Sequence, residues 1–292
     1  MKTYNPDNPF AQPESLTQLV FLVTADALDA LEDAFEDVAF AFSCSAADDG
    51  QGRHKVEVIC DSLDAAIGLA QCGLEPLSQS EVEERDWVAE VQADFKPMHA
   101  GRFYVYGSHI ESAPPKGSIP ILMDAGAAFG TGEHATTSGC LQLLSRIRPR
   151  PSRVLDMGAG TAILGIGAAK RWPTSRVLAV DNCPVAVRVS AANALRNQVQ
   201  QRVRCAVSEG YNSRIVRENG PYDIILANIL AGPLIEMAAD QCRTIKAGGY
   251  LILSGLLNRQ ERKVLNAYEA RGFKLLHAAR RDDWSALLLR AA

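Results

Sequence analysis

The 292-residue sequence predicts an α/β protein in two parts: a small α+β unit, then a seven-stranded, mostly parallel sheet that ends in an antiparallel hairpin. Three observations predict it. From residue 150 onward, short apolar runs alternate with stretches of helical spacing, the pattern of strands joined by right-handed crossovers. The last two runs, Lys274–Ala278 and Ser285–Leu289, are separated only by Ala279 to Trp284, too few residues for a parallel crossover. The first 80 residues instead read strand, helix, strand, strand, helix, strand.

That order is the split βαβ pattern of ferredoxin-like units. Leu19 to Thr24 is an apolar, partly β-branched run of strand length, and Leu28, Leu31, Ala34 and Phe35 then recur at helical spacing. Val38–Phe42 and Lys55–Cys60 are strand candidates on either side of a polar, glycine-bearing loop. Asp61 and Ser62 cap a second helix, Leu63–Gln71, which Gly73 ends. A weaker extended segment spans Glu75–Ser80, and Glu81 to Phe95 reads as an acidic linker helix stopped before Lys96-Pro97. The predicted boundaries are therefore 1–80 for the small unit, 81–100 for the linker and 101–292 for the larger one.

In the larger unit, Phe103–Tyr106 and Pro120–Met123 are strand-like and flank a proline-rich loop, and Ser138–Ile147 is helical. The parallel strands are expected at Arg153–Asp156, Arg176–Asp181, Val203–Val207, Tyr222–Ala227 and Tyr250–Ser254, before the terminal hairpin. The first of them runs into Asp156-Met-Gly-Ala-Gly160, followed by the helix-compatible Thr161–Lys170. Glycines between a strand and a helix allow a tight turn and close approach of a ligand beyond the strand's carboxyl end. Asp181 closes the second strand, placed to accept the hydroxyl hydrogens of a ribose. The turn and the distal acid together mark a nucleoside site.

Two features favour S-adenosylmethionine over a dinucleotide. Position 163 is Ile, so the third glycine of G-x-G-x-x-G is absent. Asn228-Ile-Leu-Ala231 follows the fourth strand, where an Asn amide and adjacent carbonyls suit an amine; the alternative is that Asn228 caps the next helix, with Pro233 just inside its start. A third element, Asp124 to Thr137, is dense in glycine and then in hydroxyls: Gly126, Gly130 and Gly132 permit unusual backbone angles, Phe129 can lie against an adenine or the substrate, and Thr136 and Thr137 enter the helix. His134 has no second His at ligand spacing, so no metal is expected.

Together and in this order, Ala128-Phe-Gly-Thr-Gly-x-His134 with Thr136-Thr137, Asp156-x-Gly-x-Gly160, Ala227-Asn-Ile-Leu-Ala231, Gly248-Gly249 and Leu253-Ser-Gly255 resemble methyltransferases of the PrmA type over nearly the whole chain. These are the ribosomal protein eleven methyltransferases of the class I S-adenosylmethionine-dependent superfamily. The resemblance implies a Rossmann-like catalytic domain and methyl transfer to lysine or N-terminal amines of that large-subunit protein, free or on the ribosome. It also implies an N-terminal domain that recognises the substrate. Thr137, Gly158, Asp181 and Asn228 are then cofactor-binding positions, and Asp156, Gly160, Gly130 and Thr131 complete the candidate set. Asn228 positions the amine and Phe129 forms a wall of the site. The chain departs from the family's habit at Glu133 and Ala135, and at Ala159 and Ala162, where Cys and Gly are usual.

Charge and composition narrow the remaining classes. The net charge of −4 hides a split: residues 1–100 hold 5 Lys and Arg against 20 Asp and Glu, and residues 101–292 hold 25 against 14. An acidic front module fits a basic protein substrate. The basic charges of the remainder are scattered along the sequence, admitting incidental ribosomal RNA contact without marking a patch. No uncharged apolar run reaches membrane-spanning length and no signal peptide is visible, so a cytoplasmic protein without a membrane partner is expected. Seven cysteines without a C-x-x-C pair read as reduced thiols. The alternatives are a methyltransferase for another amine or a nucleic acid, an oxidoreductase using a dinucleotide, and a non-catalytic ribosome-binding module.

Overall fold

A computed structural model describes residues 16–35, 39–47, 53–82, 96–123 and 135–292. The chain divides into two compact units, Met1–Trp87 and Val88–Ala292.

The first unit runs β1 (Leu16–Val23), α1 (Ala25–Phe35), β2 (Ala39–Ala46), β3 (His54–Asp61), α2 (Ser62–Cys72) and β4 (Ser78–Val82). Its strands lie in the order β2-β3-β1-β4, every neighbour antiparallel. Alternation puts Leu19, Phe21, Val56 and Val58 on one face, where they pack with Leu31 and Phe35 of α1 and Ala65 of α2. The helices approach closely because position 68 is glycine: a Cβ there would lie 2.3 Å from the Phe35 ring. The last strand starts three residues later and ends two residues later than the predicted Glu75–Ser80. Its polar residues are exposed, and its register, Ser78 opposite Val20 to Val82 opposite Leu16, is set by backbone pairing that no apolar pattern announces. Glu81 and Val82 thus belong to β4, and the rest of the predicted linker helix, from 83 to 95, lies outside the described residues.

The second unit opens with a small sheet, β5 (Met98–Ala100), β6 (Phe103–Tyr106) and β7 (Ile119–Leu122), antiparallel then parallel. Helix α3 (Ala135–Arg146) follows, starting three residues earlier than predicted, so that Thr136 and Thr137 are helical and buried. The succession is then β8 (Arg153–Met157), α4 (Ile163–Arg171), β9 (Arg176–Asp181), α5 (Pro184–Arg196), β10 (Val203–Val207), α6 (Arg214–Asn219) and β11 (Tyr222–Asn228). It closes with α7 (Ala231–Thr244), β12 (Ile245–Leu257), a 3-10 turn (Asn258–Gln260), α8 (Glu261–Glu269), β13 (Lys274–Arg281) and β14 (Trp284–Arg290). Among the described residues the main sheet has seven strands in the order β10-β9-β8-β11-β12-β14-β13, parallel up to β12.

Successive strand residues face opposite ways, and both faces are buried. Val154, Val177, Ile224 and Ile252 pack beneath α3, α4 and α5, whereas Leu155, Leu178, Ile225 and Leu251 pack beneath α6, α7 and α8. The terminal hairpin forms as expected, with β14 on the inside. Leu287, Leu288 and Leu289 are buried, whereas β13 is largely exposed and makes the edge. Doubly wound in this way, the sheet sends its connections to the carboxyl edge, where the predicted motifs meet.

Candidate functional site

Beyond Met157 the chain turns through Gly158 (φ +67°), Gly160 (φ +54°) and Ala162 (φ +59°) into α4. The turn is tied down from outside. Ala159 N–H donates to Val180 O (2.9 Å), Gly160 N–H to Asp181 Oδ2 (2.8 Å), Ser190 Oγ to Gly160 O (2.8 Å) and Asn193 Nδ2 to Thr161 O (3.1 Å). Ile163 begins α4 and is buried, in the place where a dinucleotide loop has its third glycine.

Asp156 lies beneath this turn, 2% exposed, and its Oδ2 accepts Gly165 N–H at 2.7 Å. Glycine at 165 makes room for it: a Cβ there would stand 2.9 Å from the same oxygen. Burial pushes the Asp156 carboxyl up to about 7 against the Gly165 hydrogen bond, and Asp181 adds to the rise. One oxygen of this expected cofactor residue is therefore spent on the first turn of α4. Asp181 ends β9 half-buried; beyond the bond to Gly160, its Oδ1 accepts Cys183 N–H at 3.0 Å, and each oxygen keeps acceptor capacity.

Asn228 is the last residue of β11, and its Nδ2 donates to Thr137 Oγ1 at 3.4 Å, joining two predicted site residues 91 positions apart. The capping alternative fails, because the N-cap of α7 is Leu230 and no side chain caps that helix. Ile229 N–H pairs with Ser254 O (3.1 Å), and the residue is wedged between two glycines. A Cβ at Gly158 would lie 2.3 Å from Ile229 Cγ2, and one at Gly255 (φ +83°) 2.3 Å from Ile229 O. The Asn228 turn and the glycine turn are thereby held against each other. The connections leaving β8, β9, β10 and β11 at this edge carry a single charged residue, Glu209, and no cation; the cations of the edge lie further along it, Arg259 after β12 and Arg281 at the end of β13, whose guanidinium donates to Ser138 Oγ at 3.3 Å.

Thr137, Asp156, Gly158, Gly160, Asp181 and Asn228 thus gather at one edge of the sheet. Phe129, Gly130 and Thr131, with Gly126, Gly132 and His134, lie outside the described residues. Sequence reading left the supports of the site unassigned. Ser190 and Asn193 appear only as buried polar residues on α5, a mismatch with its apolar face that was the available signal. Gly255 was visible as a motif residue without a role.

The model of the ribosomal protein L11 methyltransferase (PrmA) family matches residues 50–292. The chain belongs to this family. A relative named ribosomal protein L11 methyltransferase from Chelativorans sp. (strain BNC1) is 40% identical over 268 residues, covering 89% of this chain and 92% of the relative. Another of the same name from Mesorhizobium japonicum is 37% identical over 270 residues, 89% and 93% of the two chains. The crystal structure of a ribosomal protein L11 methylase from Lactobacillus delbrueckii subsp. bulgaricus aligns with a TM-score of 0.60 at 26% identity, covering 68% of this chain and 100% of that one. Of the motifs on which the sequence resemblance rested, Thr136-Thr137, Asp156–Gly160, Ala227–Ala231 and Leu253–Gly255 meet at the carboxyl edge, whereas Gly248-Gly249 lies near the start of β12.

Proposed function

We propose that this chain is an S-adenosylmethionine-dependent methyltransferase that modifies lysine or N-terminal amines of ribosomal protein L11. The observation that carries the reading is the Asn228–Thr137 pair beside the glycine turn, where the connections leaving β8, β9, β10 and β11 carry no cation. S-Adenosylmethionine supplies an electrophilic methyl group on a sulfonium centre. The residues fit such a group. Asp181 retains acceptor capacity for ribose hydroxyls, the Gly158–Gly160 turn admits close backbone approach, and the connections leaving β8, β9, β10 and β11 add no positive charge to repel a cationic molecule.

Because Asn228 turns its NH2 group to Thr137, its Oδ1 is left as an acceptor for an amine N–H, aiming the nitrogen lone pair in line with the methyl group. The amine must be neutral to react. At pH 7 deprotonation costs about 4.6 kcal/mol for a lysine and only about 1 kcal/mol for an α-amino group. Desolvation in the crevice, with Phe129 as a wall, lowers the lysine cost, and Asp156 serves from below by holding the first turn of α4. The acidic first unit recruits the basic substrate by charge in the cytoplasm. No helix among the described residues is long and apolar enough to cross a membrane. Methylation of another amine or a nucleic acid, dinucleotide oxidoreduction and a non-catalytic ribosome-binding role find no support in relatives named for L11.

The test is incubation with labelled S-adenosylmethionine and L11, free and in large ribosomal subunits, followed by mass mapping of the modified nitrogens. Label on L11 amines is the expected result. Label on nucleic acid with L11 untouched would sink the reading.

A further inference from the structure

The scattered basic residues of the second unit are gathered by the fold at the amino edge of the sheet, opposite the crevice. The connections entering β8 and β10 bring Arg148, Arg150 and Arg202 to that edge, and the first residues of β9 and β12 add Arg176 and Lys246. Cross-strand register places Arg153 opposite Arg176, and the next pair, Val177 with Val203, sets Arg176 beside Arg202. Neighbouring strands are about 4.8 Å apart, so these charges lie within a Debye length of roughly 8 Å and act together. A row of like charges across a sheet is a cost to the fold that calls for a counter-charge.

Helix capping accounts for part of the row. Arg171 donates to Ser145 O and Ile147 O, Arg202 to Ala169 O, and Arg153 to Asn219 O and Gly220 O. Capping uses donors and leaves the positive charge in place. It does not account for Arg148, Arg150 and Arg176, which are exposed. Beside them a hollow of about 150 Å³, enough for a phosphate group, is rimmed by Arg150, Lys246 and Arg290. Asp223 lines it too, and its ion pair with Lys246 at 2.6 Å balances that charge, so Arg150 and Arg290 are the net cations of the rim; the carboxylate also accepts Ser152 N–H and Arg153 N–H. The aromatic rings of the edge, Trp172 and Tyr250, are each covered by an arginine, Arg171 at 5.0 Å and Arg290 at 5.8 Å, and offer no free platform for base stacking.

We infer that this edge is a docking surface for the phosphate backbone of structured RNA. The choice of RNA among polyanions rests on the proposed function, since ribosomal RNA is the neighbour of a ribosomal protein substrate. Such binding is sequence-tolerant and strongly salt-dependent. It leaves the crevice open, because β8, five residues long, separates the two edges by about 17 Å.

The test is fluorescence anisotropy of a labelled RNA hairpin with the full-length protein across a salt series, beside methylation of free L11. The charge-reversed variant R148E/R150E/R176E is expected to bind RNA at least tenfold more weakly, with a salt slope reduced by about 2 to 3, while its activity on free L11 is unchanged. R148Q/R150Q, the milder change, should give a smaller loss in the same direction. Equal RNA affinity in wild type and variants overturns the inference, as does an absence of RNA binding. So does loss of binding to anionic phospholipid vesicles, or of salt-sensitive self-association, with RNA binding unaltered. L11 left unmethylated by the wild-type protein would instead count against the proposed function, and the anisotropy would still read the surface.

Discussion

Asn228 acts through an amide, so its contribution is one of direction rather than charge. Asn228→Ala removes both the donor to Thr137 and the acceptor offered to the amine. Its kcat is expected to fall at least tenfold, about 1.4 kcal/mol in the barrier, with a smaller change in cofactor Kd by calorimetry. Thr137→Val should cost less and add little to Asn228→Ala, since both break one contact. Unchanged kcat and cofactor affinity in Asn228→Ala would reject the role. Asp156 makes a different prediction, because its native pKa near 7 stands above the usual carboxylate value near 3.9. Between those values the native state holds a proton that the unfolded chain has released, so its contribution to stability falls as pH rises from about 4 to 7. Asp156→Asn keeps an acceptor for Gly165 N–H and removes the titration. Urea melts should show the variant equal to wild type at pH 4 and more stable by a few kcal/mol at pH 8; parallel profiles would discard the assignment. These residues were legible because motif chemistry needs them at strand ends, whereas the inward turn of Asp156 was not, since an acid before a glycine turn can face either ligand or helix.

At the scale of elements, the site depends on two turns packed without side chains between them. Gly255→Ala would place a Cβ 2.3 Å from Ile229 O at φ +83°, with an expected loss of about 2–4 kcal/mol in thermal or urea unfolding and a raised KM for the cofactor. Gly232→Ala, in the first turn of α7 with nothing within 4 Å, is the control and should be neutral or stabilising by up to about 1 kcal/mol. If the two variants unfold alike, the wedge at Ile229 is not what holds the turns. The strands β8, β9, β11 and β12 could be read from sequence because burial on both faces makes them continuous apolar runs. What escaped was marked by backbone pairing alone. β5, three residues of Met98-His-Ala100, is too short for a period, and β4 is polar and exposed. The inner position of β14 follows from a difference the sequence does carry, Ala-Leu-Leu-Leu against a β13 ending in Ala-Ala-Arg-Arg, although the order of two hairpin strands in a sheet is decided by burial and not by turn length.

For the whole molecule, charge is arranged in three zones: an acidic first unit, a crevice whose connections after β8, β9, β10 and β11 carry no cation, and a basic amino edge. Only the first was legible in the sequence, because residues close in sequence formed it. The basic edge draws on connections spread over about a hundred residues, which the parallel topology folds to one side. If the acidic unit recruits L11 electrostatically, its effect belongs in association and not in the methyl-transfer step. A chain beginning at residue 96, which keeps β5 paired with β6, should retain a cooperative melt and cofactor binding while its kcat/KM for L11 falls at least tenfold. In the full-length protein kcat/KM should also decline steeply between about 50 and 300 mM salt, as screening shortens the reach of the acidic charges, and the shortened chain should lose most of that dependence. Full activity in the shortened chain, or the same salt slope in both, would reduce the acidic unit to a solvated surface. Loss of cofactor binding would instead show that the second unit needs the first to complete its crevice, which separates recruitment from assembly.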